Sequence, residues 1–300
     1  MEFNGFIFRN PKPSYNFSNL IGNIIFIPKV IEENYDSFNA LILSEEVKDY
    51  YKGVSKLSNI RYFNCPCIPC LYFPSSLPSS KLLIYFHGNA EDLGYCSRFL
   101  EQLSALLDVS IISIEYPGYG IYNGQPQEKD ILEDSEKVIN FLIKFGKWKE
   151  ENIILLGRSI GSGPATHLAT KYSIAGLILV SAFTSIKEVA QAHVGILKSI
   201  LKERFKNIEN ISKVKCPVFL LHGKKDQIVP YFHSLDLCRK CKSECKIIMP
   251  EEMDHNRFNI LNDLINPLKE FFTNVHINLK GSEVLYLPLQ CFLDPNQTPD

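Results

Sequence analysis

The stretch Ile153-Ile154-Leu155-Leu156-Gly157-Arg158-Ser159-Ile160-Gly161-Ser162-Gly163 decides the fold. Four apolar residues run straight into Gly-x-Ser-x-Gly and on into a helix-compatible segment, the pattern of a strand that turns sharply into a helix with a serine at the apex. The serine stands clear of the sheet only if the turn is tight. A tight turn needs glycine on either side, because a Cβ there would collide with the neighbouring strand and helix. The helix that follows aims its N-terminal amides and positive dipole end at Ser159, where they would stabilise an oxyanion. Ser159 is therefore the candidate nucleophile.

Outward from this turn, strand-like and helix-like segments alternate. Leu82-Leu83-Ile84-Tyr85-Phe86 is a continuous apolar run ending at His87-Gly88, as a strand buried on both faces would read. Comparable runs lie at 109–114, 153–156, 175–180, 218–221 and 246–249, and helical periodicity covers 97–107, 128–145, 160–172, 186–201, 230–241 and 258–273. This alternation predicts an α/β fold with a doubly wound, mostly parallel sheet. Residues 1 to 80 would supply leading strands such as 59–63 and 67–73.

Composition sets outer bounds. The 300 residues are 45% apolar and 22% charged, enough for one large core, and the net charge of −1 gives no electrostatic case for a nucleic-acid partner. The best apolar stretch, Leu20 to Ile31, is broken by Gly22, Asn23, Pro28 and Lys29 and falls short of the roughly 20 residues that span a bilayer. Neither a signal peptide nor a transmembrane helix is expected, and Glu2 excludes N-myristoylation. Nine cysteines, an odd number, favour reduced thiols in a cytosolic setting. Cys65, Cys67 and Cys70 read as strand and turn residues, with S-acylation as the rival account. Cys238, Cys241 and Cys245 fall at i, i+3 and i+7, as a buried helical face and its exit would place them, with a metal or redox site as the rival.

In such a sheet, ligands collect beyond the carboxyl ends of the strands. Four of those ends carry chemistry: His87-Gly88-Asn89, the Ser159 turn, His222-Gly223-Lys224-Lys225-Asp226, and Glu251-Glu252-Met253-Asp254-His255. A serine hydroxyl is a poor nucleophile until a base takes its proton, and an imidazole does so at neutral pH. His255 is the candidate base, with His233 and His276 as rivals on or near helices. Asp226 is the candidate acid that would hold the His255 ring in the correct tautomer, with Glu251, Glu252 and Asp254 as rivals. The backbone N–H groups of Asn89 and Ile160 would form the oxyanion hole. His87 and His222 read as turn-shaping residues with buried hydrogen bonds, and Tyr116-Pro117-Gly118-Tyr119-Gly120 as a turn.

Taken together, HGNAEDLG at 87–94, EYPGYG at 115–120, GRSIGSGP at 157–164, LHGKKDQIVP at 221–230 and DHN at 254–256 resemble the α/β-hydrolase branch containing the protein depalmitoylases called alpha/beta hydrolase domain-containing protein 17. The resemblance covers roughly residues 55–273 and matches Ser159, Asp226 and His255 to the family triad. It implies an α/β-hydrolase fold and a cytosolic-facing serine hydrolase that cleaves the thioester of S-palmitoylated proteins through an acyl-enzyme. No metal or cofactor is required. The implied partners are S-acylated proteins or other acyl esters and thioesters. The expected location is the cytoplasm, with peripheral contact at the cytosolic face of membranes. One departure stands out: the resembled enzymes begin with a cysteine cluster that anchors them on membranes, and residues 1–20 contain no cysteine. The alternatives are a general carboxylesterase or lipase, and a non-catalytic protein of the same fold that only binds.

The expected division is an N-terminal segment over 1–54, a catalytic domain over 55–273 and a C-terminal tail over 274–300. Within the domain, 181–217 is where many α/β-hydrolases carry a cap, and here it holds about one amphipathic helix. So short a cap would leave an open apolar groove for an acyl chain. Lys198, Lys202, Arg204 and Lys206 would flank it; a solvated helix face is the plainer account of them, and steering toward an anionic surface the rival.

Overall fold

The computed structural model describes residues 7–16, 19–30, 40–42, 65–194, 202–281 and 286–292. Eight strands form one sheet in the order β1 (Asn23–Pro28), β3 (Cys67–Phe73), β5 (Ser110–Ile114), β4 (Leu82–Phe86), β6 (Ile153–Arg158), β7 (Gly176–Val180), β8 (Val218–Leu221) and β9 (Cys245–Ile248). β3 pairs antiparallel with both β1 and β5, and every neighbour from β5 to β9 pairs in parallel. β2 (Ala40–Ile42) and β10 (Tyr286–Pro288) make a separate antiparallel pair.

The parallel strands are apolar on both faces because both faces are covered. Leu83, Tyr85, Ile154, Leu156, Ile178, Val180, Phe219 and Leu221 point to one layer. There they meet α1 (Leu93–Leu107) and α7 (Asn266–Asn274), through residues such as Leu100, Leu103, Leu268 and Phe271. The alternate residues, among them Ile84, Leu155, Leu179 and Leu220, face α2 (Glu128–Lys144), α3 (Ser162–Ala169) and α6 (Phe232–Lys240). The period-two alternation of strands thus feeds two cores, one on each side of the sheet.

Register brings the strand ends level. Phe86 lies opposite Gly157, Arg158 opposite Val180, Val180 opposite Leu221 and Leu221 opposite Ile248. The residues that follow each of these positions therefore gather along one carboxyl edge.

Several boundaries differ from the sequence reading for local reasons. α1 starts one turn before Ser97, because Asp92 caps it by accepting a hydrogen bond from the Tyr95 N–H at 3.0 Å. Leu20 to Ile31, read only as a broken apolar stretch, contains β1, whose Pro28 is the strand's last residue on a sheet edge. The helix expected over 258–273 is a π-helical turn, Ile260–Ile265, followed by α7; Asn259 caps the first and Pro267 sits in the first turn of the second. Cys238 lies on α6 and Cys241 at its C-cap, but Cys245 opens β9, so the helical face does not extend to the third cysteine. The strand expected at 59–63 lies outside the described residues, as do residues 195–201 of the helix expected over 186–201, of which α4 (Ile186–Val194) is described. Among the described residues no helix is long and apolar enough to cross a membrane.

Candidate active site

Ser159 follows β6 directly, at φ +51°, a left-handed conformation that disfavours a side chain and holds the hydroxyl at the apex of the turn. A Cβ on Gly161 would overlap the Phe86 carbonyl at the end of β4, and one on Gly157 would overlap the Gly161 carbonyl. Both glycines are thus required by close approach, one by the neighbouring strand and one by the turn itself.

Ser159 Oγ lies 3.1 Å from His255 Nε2, and His255 Nδ1 lies 2.7 Å from Asp226 Oδ2. A carboxylate only accepts, so Nδ1 carries the ring proton and leaves Nε2 free to accept from the serine hydroxyl. All three residues are buried. Asp226 Oδ1 accepts from the Ile228 and Val229 N–H groups at 2.9 and 2.8 Å, which fixes the carboxylate in its own loop. The rival acids are occupied elsewhere: Glu251 pairs with Lys224, Glu252 with Lys225, and Asp254 accepts from the Asn256 and Arg257 N–H groups. His233 Nδ1 accepts from the hydroxyl of Thr184, in the loop after β7, at 2.9 Å.

His222, expected to shape a turn and make buried hydrogen bonds, does make them and also reaches the acid itself. Its Nε2 is 2.8 Å from the Val229 carbonyl and 3.2 Å from Asp226 Oδ2. Two acceptors at one nitrogen require a proton there, so Nδ1 accepts from the Ser234 hydroxyl at 2.6 Å. Burial by itself pushes the Asp226 carboxyl up, but the hydrogen bonds from His222 and His255 and the Val229 N–H outweigh it and hold the group well below the usual carboxylate range. No sequence spacing signals this contact; only the strand-end position of His222 hinted at it.

The loop after β4 is braced from a distance. Asn89 Nδ2 donates to the Ile7 carbonyl at 2.6 Å, while Asn89 Oδ1 accepts from the Arg9 N–H at 2.8 Å and from Tyr119 Oη at 2.9 Å. These contacts tie the loop after β4 to residues 7–9 and to Tyr119. Ile160 is the first residue after Ser159 in the 3-10 turn that leads into α3. The Tyr116 ring stacks on His87 at 3.9 Å, and its hydroxyl donates to the His87 carbonyl, so the 116–120 turn supports the same loop. Phe205, just before the short helix α5 (Asn207–Asn210), fills the space beside Gly163 on α3 and meets Phe8 edge-on. Of the four cations expected near a groove, Arg204 lies over the Phe8 ring, Lys206 pairs with Glu209, and Lys198 lies outside the described residues. Among the described residues no group of three His, Cys, Asp or Glu side chains converges as a metal-ligand set.

A mostly parallel sheet flanked by helices, with these loops along its carboxyl edge, defines an α/β-hydrolase, and comparisons with known proteins agree. The family described as serine aminopeptidase S33 (Hydrolase_4) matches residues 78–210. Among solved structures, ferulic-acid-bound Est1E from Butyrivibrio proteoclasticus superposes with a TM-score of 0.57 at 19% identity, covering 72% of this chain and 99% of its own. Alpha/beta hydrolase domain-containing protein 10 from mouse does so with a TM-score of 0.53 at 20% identity, covering 72% and 97%. Sequence relatives are nearer: human alpha/beta hydrolase domain-containing protein 17B is 33% identical over 213 residues, 71% of this chain and 73% of its own length. The 17C protein of Xenopus tropicalis is 32% identical over 208 residues, 69% and 66%. The chain is a hydrolase and belongs to the alpha/beta hydrolase domain-containing protein 17 family.

Proposed function

We propose that the protein is a serine hydrolase that removes fatty acyl groups from cysteine thioesters of proteins. The observation that carries this reading is the continuous hydrogen-bonded chain from Ser159 Oγ through His255 to Asp226, with separations of 3.1 and 2.7 Å. Ser159 Oγ attacks the thioester carbonyl carbon as its proton passes to His255 Nε2, and the resulting oxyanion takes hydrogen bonds from the Asn89 and Ile160 N–H groups. The tetrahedral species collapses, the C–S bond breaks, and His255 returns the proton to the departing cysteine sulfur. Water, deprotonated by the same imidazole, then attacks the acyl-enzyme and releases the fatty acid and free Ser159. Asp226 holds the His255 ring in place and stabilises the imidazolium in both halves.

The choice of a long acyl chain rests on membership in this family and on exposed apolar residues close to the acid along the chain. Ile228, Tyr231 and Phe232 are 49%, 38% and 48% exposed within six residues of Asp226. A chain laid along such surface gains about 0.8 kcal/mol per buried CH₂. The test is labelling by a fluorophosphonate probe together with kcat/KM for acetyl, octanoyl and palmitoyl thioesters, free and peptide-linked. Ser159→Ala should lose labelling and turnover, and palmitoyl peptides should be preferred. Labelling that survives in the Ala variant sinks the nucleophile, and a preference for acetyl or for oxygen esters leaves a general esterase instead.

A further inference from the structure

Beside the Ser159–His255–Asp226 chain runs a second line of contacts that the proposed reaction does not use. Arg158 ends β6, one residue before the serine. Its Nη1 forms an ion pair with Glu91, while Nη2 donates to the His255 carbonyl at 3.1 Å and to Asn256 Oδ1 at 2.9 Å. Glu91 Oε2 in turn accepts from the Gly88 N–H at 2.8 Å. The Arg158 and Glu91 side chains are 12% and 24% exposed, so the pair is largely withdrawn from water. Gly88 makes room for it: a Cβ there would lie 2.9 Å from Glu91 Oε2 and 3.3 Å from Arg158 Nη1.

We propose that Arg158 and Glu91 are positioning residues that lock the Asn89 loop and the His255 loop in one register about Ser159. The inference rests on the serine-hydrolase reading above for its kinetic consequences, but the lock itself is geometric. The three loops leave β4, β6 and β9; sheet register levels the strand ends, and the Arg158 contacts tie together the residues beyond them. Arg158 is rigidly joined to Ser159 by one peptide bond, and its planar fork reaches both other loops at once, which the point charge of a lysine does not. Glu91 carries the constraint on to Gly88, the residue before Asn89. The oxyanion donors and the imidazole then face the same carbonyl carbon, and a misplacement of about 1 Å costs on the order of 100-fold in rate.

The experiment compares wild type with Glu91→Gln, Arg158→Lys, Arg158→Met, the Glu91→Gln/Arg158→Met double variant and Ser159→Ala, by steady-state kinetics and by hydrogen exchange. Glu91→Gln and Arg158→Met should each lower kcat by about 10- to 100-fold while KM stays near its wild-type value. The factor should be the same for acetyl, octanoyl and palmitoyl thioesters, because the pair touches no acyl chain. Arg158→Lys should recover part of the loss, and the double variant should be no slower than the slower single variant. Exchange should quicken at 253–258 in Glu91→Gln, although Glu91 does not touch that loop. Faster exchange confined to residues near Glu91, or multiplicative losses in the double variant, would overturn the lock. A wild type without Ser159 labelling or turnover would instead overturn the hydrolase reading, and the exchange data would still decide the lock.

Discussion

The dipeptide His-Gly stands at the ends of two parallel strands, His87-Gly88 after β4 and His222-Gly223 after β8. Both histidines are fully buried, and each lies against a buried carboxylate: His87 Nε2 is 3.0 Å from Glu115 Oε1, and His222 Nε2 is 3.2 Å from Asp226 Oδ2. The difference is in what else the carboxylate holds. Glu115 accepts from Tyr15 Oη at 2.8 Å and from the Leu93 and Tyr116 N–H groups at 3.2 and 3.3 Å, tying the amino-terminal segment, α1 and β5 together. Asp226 gives its remaining edge to His255, which reaches on to Ser159. One local motif yields a structural hub where every further donor is fixed, and, on the proposed reading, a proton-transfer chain where one donor is itself a base.

Replacing the two carboxylates separates these roles most sharply. Asp226→Asn should lower kcat by about 10³- to 10⁴-fold, since the amide no longer enforces the Nδ1–H tautomer. Thermal melts should show the fold retained. Glu115→Leu should do the reverse, stranding buried donors and destabilising the protein by about 3 to 5 kcal/mol in urea unfolding. A catalytic collapse without loss of stability would erase the contrast. His222→Asn should lower kcat by about tenfold, the loss of one hydrogen bond to a charged acceptor. A rate equal to wild type would reduce His222 to the turn-shaping role the sequence suggested.

A third buried histidine sharpens the comparison because its partner is a hydroxyl. His233 accepts from Thr184, and burial, aided by the nearby His222, pushes its pKa down to about 4. A histidine held neutral in the fold but free to protonate when unfolded adds stability that is present above its unfolded value of about 6.5 and is lost as pH falls through the folded one. Asp226, also depressed, acts in the same direction at lower pH. The melting temperature should therefore fall between about pH 7 and pH 4, and His233→Gln should flatten part of that slope. An equally steep slope in the variant would assign the loss to other groups.

Much of this arrangement could be read from the chain because its signals are local. A buried parallel strand announces itself as an apolar run, and in a doubly wound sheet the residues just past such a run share one edge. That ground put Ser159, Asp226 and His255 on a short roster with the rival acids Glu251, Glu252 and Asp254, and in space Ser159, His255 and Asp226 come within hydrogen-bonding distance in turn. The supports were illegible for the opposite reason. Arg9 meets Asn89 across 80 residues, Tyr15 meets Glu115 across 100, and Arg158 meets Asn256 across 98, with no periodicity linking the partners. The end of α6 was legible, by contrast: the helix expected over 230–241 stops at its C-cap Cys241, and Cys245 opens the next strand.

The same long separations set a timetable for synthesis. Arg9 and Tyr15 leave the ribosome well before Asn89 and Glu115 exist to receive them, and Ser159 emerges 96 residues ahead of His255. At translation rates of about 5 to 20 residues per second, the strained serine waits roughly 5 to 20 s for its imidazole. Throughout that interval the nascent chain lacks the imidazole proposed to activate the hydroxyl. On the serine-hydrolase reading, chain order thus keeps the growing polypeptide chemically silent until the loop after β9 has been made.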